Sequence, residues 1–218
     1  MVDALLFDLD GTLLDTAPDM GAAANAVLAD HGHAPLTHAQ IQANTSYGAR
    51  GLLKAGFGDD LVNHDPQQLR QAFLDYYAKD ICIGTAYYPE IETVLTTLHE
   101  QAIPWGIMTN KPGFLTELLL PYFPLLRRAN IICCGDTLPF AKPHPEPLLH
   151  CAKIMAVEPD KIAYIGDIEG DMIAAKNASM QGIIAGWGYV GDPAMLTNWP
   201  ARKTLTTPAQ ILGLVTTS

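Results

Sequence analysis

Residues 4–7, Ala4-Leu5-Leu6-Phe7, run without a polar break into Asp8-Leu9-Asp10-Gly11-Thr12-Leu13-Leu14-Asp15-Thr16. This junction constrains the chain more than any other stretch. A short, wholly apolar run suits a strand covered on both faces, as in parallel sheets, where ligands gather at the carboxyl ends of the strands. Asp8 and Asp10 stand at that end. Two carboxylates so close repel each other and are poorly solvated unless a cation lies between them. Carboxylate and carbonyl oxygens, completed by water and a substrate phosphate, are the usual ligands of Mg²⁺. Gly11 lets the chain turn away with no side chain in its path, so that backbone N–H groups face an anion.

The rest of the chain alternates. A helix is predicted over 18–31, with Met20, Ala23, Val27 and Leu28 on one face. Residues 37–80 show no convincing strand, and Leu69, Ala72, Phe73, Tyr76 and Tyr77 form a helical stripe behind Asp65-Pro66. Residues 16–82 therefore read as an all-helical insertion, and 1–15 with 83–218 as the domain that carries it. Beyond the insertion come a helix after Pro89, a strand at 105–108, another at 131–134 and a helix opened by Pro145. A strand at 162–165, a helix over 171–180 and a last strand at 182–185 follow. Strand and helix in turn predict an α/β fold, a parallel sheet with helices on both faces.

The first three of these strands end in polar residues: Thr109-Asn110-Lys111, Gly135-Asp136 and Gly166-Asp167-Ile168-Glu169-Gly170-Asp171. Thr109 and Asn110, taken on their own, read as a helix N-cap. Lys142, in Lys142-Pro143-His144-Pro145, is placed at the start of a helix, where the macrodipole disfavours a cation unless an anion is bound. The alternative is a solvated loop lysine. Asp171 suits both a helix N-terminus and the surroundings of a metal.

Taken together, these motifs resemble the haloacid dehalogenase superfamily in its phosphatase branch, and within it the phosphoglycolate phosphatases. The resemblance implies a Rossmann-like core with an inserted helical cap, hinged near 14–17 and 83–87. It implies Asp8 as nucleophile, Asp10 as general acid and base, and Lys142 as the cation that neutralises nucleophile and phosphoryl group. It further implies Mg²⁺ on Asp8, Asp167 and the Asp10 carbonyl, with Asp171 behind them. Thr109, Asn110 and the backbone of Leu9 and Gly11 would bind phosphate. Ile168 departs from the Ser or Thr usual in that branch. The segment 45–51, Thr45-Ser46-Tyr47-Gly48-Ala49-Arg50-Gly51, is expected as a substrate-facing loop; Arg50 is either a carboxylate reader or an ordinary surface arginine. That loop and the tail from Gly188-Tyr189 to Asn198-Trp199 also resemble the branch acting on N-acetylmuramic acid 6-phosphate. A phosphomutase of the same superfamily and a non-catalytic binding protein are the rival readings.

The partner expected is a small-molecule phosphate monoester. A formal net charge of −10 argues against nucleic acid and against an anionic membrane surface. No apolar run approaches the ~18 residues of a membrane span, and no leader precedes the first strand, so the expected place is the cytoplasm, as monomer or homodimer. Cys82, Cys133, Cys134 and Cys151 are expected as buried free thiols. The seven histidines lack metal-ligand spacing along the chain and read as surface or helix residues.

Overall fold

The computed structural model of the protein describes residues 1–191 and 193–215; the resemblance drawn for the tail touches Asp192, which lies outside them. The chain forms two compact units, one of Met1–Leu14 with Tyr87–Ser218 and one of Asp15–Ala86.

The first unit is an α/β layer structure. Strands β1 (Ala4–Phe7), β4 (Trp105–Met108), β5 (Ile132–Cys133), β6 (Ile162–Gly166), β7 (Gln181–Ala185) and β8 (Lys203–Leu205) form one sheet in the order β5-β4-β1-β6-β7-β8. All its pairings are parallel. Phe7 is in register with Ile107 on one side and Ile165 on the other. The residues that follow these three therefore emerge side by side. Because the chain leaves β1 first to one side, for β4 and β5, and later to the other, for β6 to β8, the end of β1 is the switch point where α/β sheets open a crevice.

Alternation decides what each strand packs against. Ala4 and Leu6 join Met108, Ile162 and Tyr164 on one face, beneath Leu148 and Cys151 of α7 (Glu146–Met155) and Ala174 and Ala175 of α8 (Glu169–Asn177). On the other face, Phe7 meets Trp105 edge-on with ring centroids 6.2 Å apart. Helix α5 (Ile91–Glu100) buries Ile91, Val94, Leu95 and Leu98. Each such side chain removed from water contributes about 1.5–3 kcal/mol. Two elements escaped the pattern: α6 (Gly113–Leu119), and β8, whose three residues include an exposed Lys203 and Thr204 and so lack an apolar run. Strand β5 is two residues where four were expected.

The second unit holds α1 (Ala17–Asp30), α2 (His38–Asn44), α3 (Gly48–Phe57) and α4 (Pro66–Lys79). Thr37 opens α2 with a capping box closed by Gln40, and Asp65 caps α4 by accepting from Gln67 N at 2.8 Å. The unit runs past the predicted limit of 82 because Asp19, buried in the first turn of α1, collects the chain as it returns. Its carboxylate accepts from the N–H groups of Ile83 (3.1 Å), Gly84 (2.9 Å) and Thr85 (2.8 Å) and from the Thr85 hydroxyl (2.6 Å). Asp19→Ala would strand these donors and is expected to cost about 2–4 kcal/mol, read as a shifted denaturation midpoint; a change under about 0.5 kcal/mol would show the anchor to be idle. The strands β2 (Leu14–Asp15) and β3 (Ala86–Tyr87) pair where the chain passes from one unit to the other.

The expected loop at 45–51 is instead helical: a 3-10 turn at Thr45–Tyr47 leads straight into α3, so Arg50 is an exposed residue of that helix's first turn. All four cysteines are free, with Cys82 only half-buried because it stands outside the apolar runs. Among the described residues no helix is long and apolar enough to cross a membrane.

Candidate active site

Asp8 leaves β1 with its N–H bonded to the Ile165 carbonyl at 2.8 Å, which holds the residue against β6. Its side chain is buried, and Oδ1 lies 2.8 Å from Lys142 Nζ. Burial pushes the Asp8 carboxyl up to about 7 against the pull of Lys142, with the charges of Asp171 and Asp10 adding to the rise.

Lys142 comes from the loop before α7. The helix starts at Glu146, four residues later than Lys142, so the conflict with a macrodipole does not arise. Lys142 is instead held by what surrounds it. Its ammonium donates to Asp8, to Asp171 Oδ1 and to the Tyr164 hydroxyl, each at 2.8 Å. Three hydrogens thus meet three acceptors. Burial works against the charge, but Asp171 and Asp8 outweigh it and hold the lysine above its ordinary range. Lys142 as the structure shows it orients Asp8 and keeps no hydrogen for a phosphate. Asn110 fixes the lysine's main chain: Lys142 N donates to Asn110 Oδ1 at 3.0 Å and Asn110 Nδ2 donates to the Lys142 carbonyl at 3.1 Å. Asn110 therefore acts as a clamp on the Lys142 loop, which the reading as a phosphate ligand did not foresee.

Tyr164, wholly buried in β6, was missed. Its hydroxyl accepts from Lys142 and donates toward the Met108 carbonyl at 3.0 Å, with Asp171 Oδ1 3.3 Å away. Burial, reinforced by the Asp171 and Asp8 charges, keeps the phenol protonated. In sequence it is one more apolar-looking member of a buried strand. Asp171, at the third position of α8, accepts through Oδ2 from the N–H groups of Asp167 (3.1 Å) and Ile168 (3.2 Å) while Oδ1 takes Lys142. Helix α8 begins two residues earlier than expected because Asp171 itself reaches back to close its first turn.

Asp167 is fully buried, and its Oδ2 accepts from Tyr189 N at 2.9 Å. The chain passes so closely here that a Cβ on Gly11, which sits at φ 81°, would strike the Asp167 carboxylate and the Tyr189 ring. The Gly11 N–H is bonded to the Leu14 carbonyl at 2.9 Å. Its expected role as an anion donor is thereby replaced by a conformational one. The Leu9 carbonyl accepts from the N–H groups of Thr12 (3.4 Å), Leu13 (3.0 Å) and Leu14 (3.0 Å), which curls the segment tightly. Asp10, within this bend, is gripped at both oxygens by buried Lys111 Nζ at 2.8 and 3.1 Å. Lys111 was visible only as a polar residue after a strand, with no assigned partner.

Thr109 follows β4, almost wholly buried, and its Oγ1 accepts from Lys111 N at 3.1 Å, leaving its hydroxyl hydrogen to donate. It does not cap a helix, because α6 begins only at Gly113, after Pro112. Asp136 lies apart from these groups in its bonding: it accepts from Gly113 N at 2.9 Å and opens α6.

Asp8, Asp167 and Asp171 are all buried and bring carboxylate oxygens within 4.8 Å of one another. Oxygen donors alone, two of them from strand ends, fit a hard divalent cation. Asp171 already accepts three hydrogen bonds, from Lys142 Nζ and from the N–H groups of Asp167 and Ile168. It is thereby engaged as a brace, and Asp8 and Asp167 are the members that could hold an ion.

Residues 5–185 match the family model described as haloacid dehalogenase-like hydrolase. A phosphoglycolate phosphatase of Xanthomonas campestris pv. campestris is 38% identical over 213 residues, 95% of this chain and 94% of that relative. An N-acetylmuramic acid 6-phosphate phosphatase of Pseudomonas aeruginosa is 31% identical over 212 residues, covering 97% and 94%. Among solved structures, that of a predicted phosphoglycolate phosphatase from Haemophilus somnus 129pt superposes with a TM-score of 0.85 over 98% of this chain and 97% of the other. At 24% identity that likeness speaks for the fold.

Proposed function

This chain belongs to the haloacid dehalogenase-like hydrolases, and from that premise we propose that it hydrolyses a small-molecule phosphate monoester through an aspartyl phosphate on Asp8, with 2-phosphoglycolate as its substrate. The observation that carries the reading is the Asp8 carboxylate at the end of β1, held at 2.8 Å by a lysine whose other hydrogens are all engaged. A group held that rigidly is suited to in-line attack.

In the proposed reaction Asp8 Oδ attacks phosphorus as the bond to the alkoxide oxygen breaks. Asp10 gives its proton to that oxygen and then takes one from the water that releases phosphate. The Asp10–Lys111 pair must open for this, so Lys111 governs when Asp10 is available. Thr109 Oγ1–H and the Leu9 backbone are the proposed donors to the transferring oxygens. Mg²⁺, held by Asp8, Asp167 and the Asp10 carbonyl, would supply charge neutralisation between the attacking carboxylate and the phosphoryl group. Asp171, Tyr164 and Asn110 are positioning residues that act through Lys142 or Asp167.

Arg50 of the helical unit is the proposed partner of the substrate's carboxylate. The relative from Pseudomonas aeruginosa favours one second reading, N-acetylmuramic acid 6-phosphate, whose lactyl group is also a carboxylate. Phosphate release with Mg²⁺ from 2-phosphoglycolate, N-acetylmuramic acid 6-phosphate, hexose phosphates and nucleotides separates the two. The preferred substrate is expected to exceed the others by roughly tenfold or more in kcat/KM. Arg50→Ala should raise KM for the carboxylate substrate about 10-fold or more while leaving p-nitrophenyl phosphate within about 2-fold. Equal losses on both would remove Arg50 from substrate recognition. Burst kinetics with full phosphate release would also set aside a phosphomutase.

A further inference from the structure

The helical unit contains a second constellation, which the sequence conceals. His33 follows the end of α1; Asp60 lies in the 3-10 turn at Gly58–Asn63, and His64 directly follows that turn. His33 Nε2 is 2.9 Å and His64 Nε2 is 3.0 Å from the same atom, Asp60 Oδ2. The ligating atoms of all three lie within 4.8 Å of one another. The geometry points to a site in this unit for one transition-type divalent cation, zinc by its donor set, ligated by His33 Nε2, His64 Nε2 and Asp60 Oδ2.

Four features argue for it. First, a tetrahedral zinc with bonds of roughly 2.0–2.1 Å sets neighbouring donors about 3.3 Å apart. The observed separations of 2.9 and 3.0 Å need to open by only a few tenths of an ångström.

Second, the donors are pre-aimed. Both rings present Nε2 to one oxygen and pack against the buried Phe57, with centroids 4.6 Å away for His33 and 4.9 Å for His64. Asn63 Nδ2 donates to the other oxygen, Asp60 Oδ1, at 2.7 Å, as carboxylate ligands are commonly braced from behind.

Third, the site is reachable. Each histidine side chain is 24% exposed and Asp60 43%, so an ion has a path in and a water can take the fourth position.

Fourth, two imidazoles with one carboxylate differ in kind from the all-oxygen set at Asp8 and Asp167, so they select zinc over Mg²⁺. The ion would join the end of α1 to the connection between α3 and α4, a staple inside the helical unit and no part of the phosphoryl chemistry.

The test uses the full-length, metal-stripped protein in excess Mg²⁺, which occupies the core carboxylates. Zn²⁺ is titrated against a chromophoric chelator, and Co²⁺ in parallel for its visible bands. One Zn²⁺ per chain is expected, with intense Co²⁺ bands of low-coordinate nitrogen ligation and a melting temperature raised by several degrees. His33→Gln and His64→Gln should each weaken this binding about 100-fold. Both should keep the unliganded melting temperature and the Mg²⁺-dependent activity of the parent, and His38→Gln should change nothing. The Co²⁺ spectrum of the unaltered protein makes the test independent of how the variants fold. Absence of those bands, or zinc uptake unchanged in both variants, would overturn the site and leave the trio as a hydrogen-bonded cluster only.

Discussion

Asp8→Asn is expected to lower phosphate release by at least about 10⁴-fold while the protein folds as before. The amide has nearly the shape of the carboxylate, so packing at the end of β1 is kept and Lys142 still finds an oxygen. What disappears is the proposed nucleophile. Because burial and the neighbouring Asp171 and Asp10 charges already strain the ionised Asp8, its neutral replacement should melt no lower than the parent in the absence of divalent ions. Measured turnover within about 10-fold of the parent would sink the aspartyl-phosphate reading. A melting temperature well below the parent's would instead mean that Asp8 is chiefly a structural partner of Lys142.

Lys142→Met is expected to have the largest effect on stability. Methionine fills the space, yet Asp8 and Asp171 lose the charge between them and Tyr164 loses a donor. Removing one member of a buried ionic set costs about 3–5 kcal/mol, or roughly 10 °C in melting temperature for a chain of this size. Turnover should fall with it. The carboxylates raise the lysine above its ordinary range. Its stabilising contribution is thus fully present below the unfolded-state value and lost only as pH rises through the higher folded one. The lysine's own titration thus adds nothing between pH 6 and pH 8, but Asp8, pushed up to about 7 in the parent and higher still without the pull of Lys142, should make the deficit of the variant larger at pH 8 than at pH 6. Adding Asp171→Asn should restore part of the stability and none of the turnover. A single variant as stable as the parent would show that the set is not held together by the lysine.

The strand ends were legible because a buried parallel strand writes itself as an unbroken apolar run, and the residues after the central strands β1, β4 and β6 emerge side by side. Asp8, Thr109 and Asp167 could be placed at those strand ends in that way. Lys111 and Tyr164 were less legible, since a lysine's partner across the sheet depends on register, and a tyrosine inside a strand looks like core. Asn110 was misjudged because a side-chain amide serves backbone and ligand equally well, and only the path of the Lys142 loop decides between them. The 45–51 segment looked like a loop by its small residues, yet Gly48 at φ 61° lets a 3-10 turn pass directly into α3. His33, Asp60 and His64 were hidden for a simpler reason: their proximity is made by the return of α3 beside α1, which leaves no periodic trace.

The strand-end groups also have a consequence for selectivity among ions. While Asp10 is still ionised and paired with Lys111, before it takes up the proton it is proposed to give, Asp8, Asp10, Asp167 and Asp171 set against Lys111 and Lys142 carry two formal negative charges. A monovalent ion would leave the place still repelling a phosphate; one divalent ion brings it to neutrality. On the proposed function, the dianion of a phosphate monoester and the divalent cation would therefore favour each other's arrival.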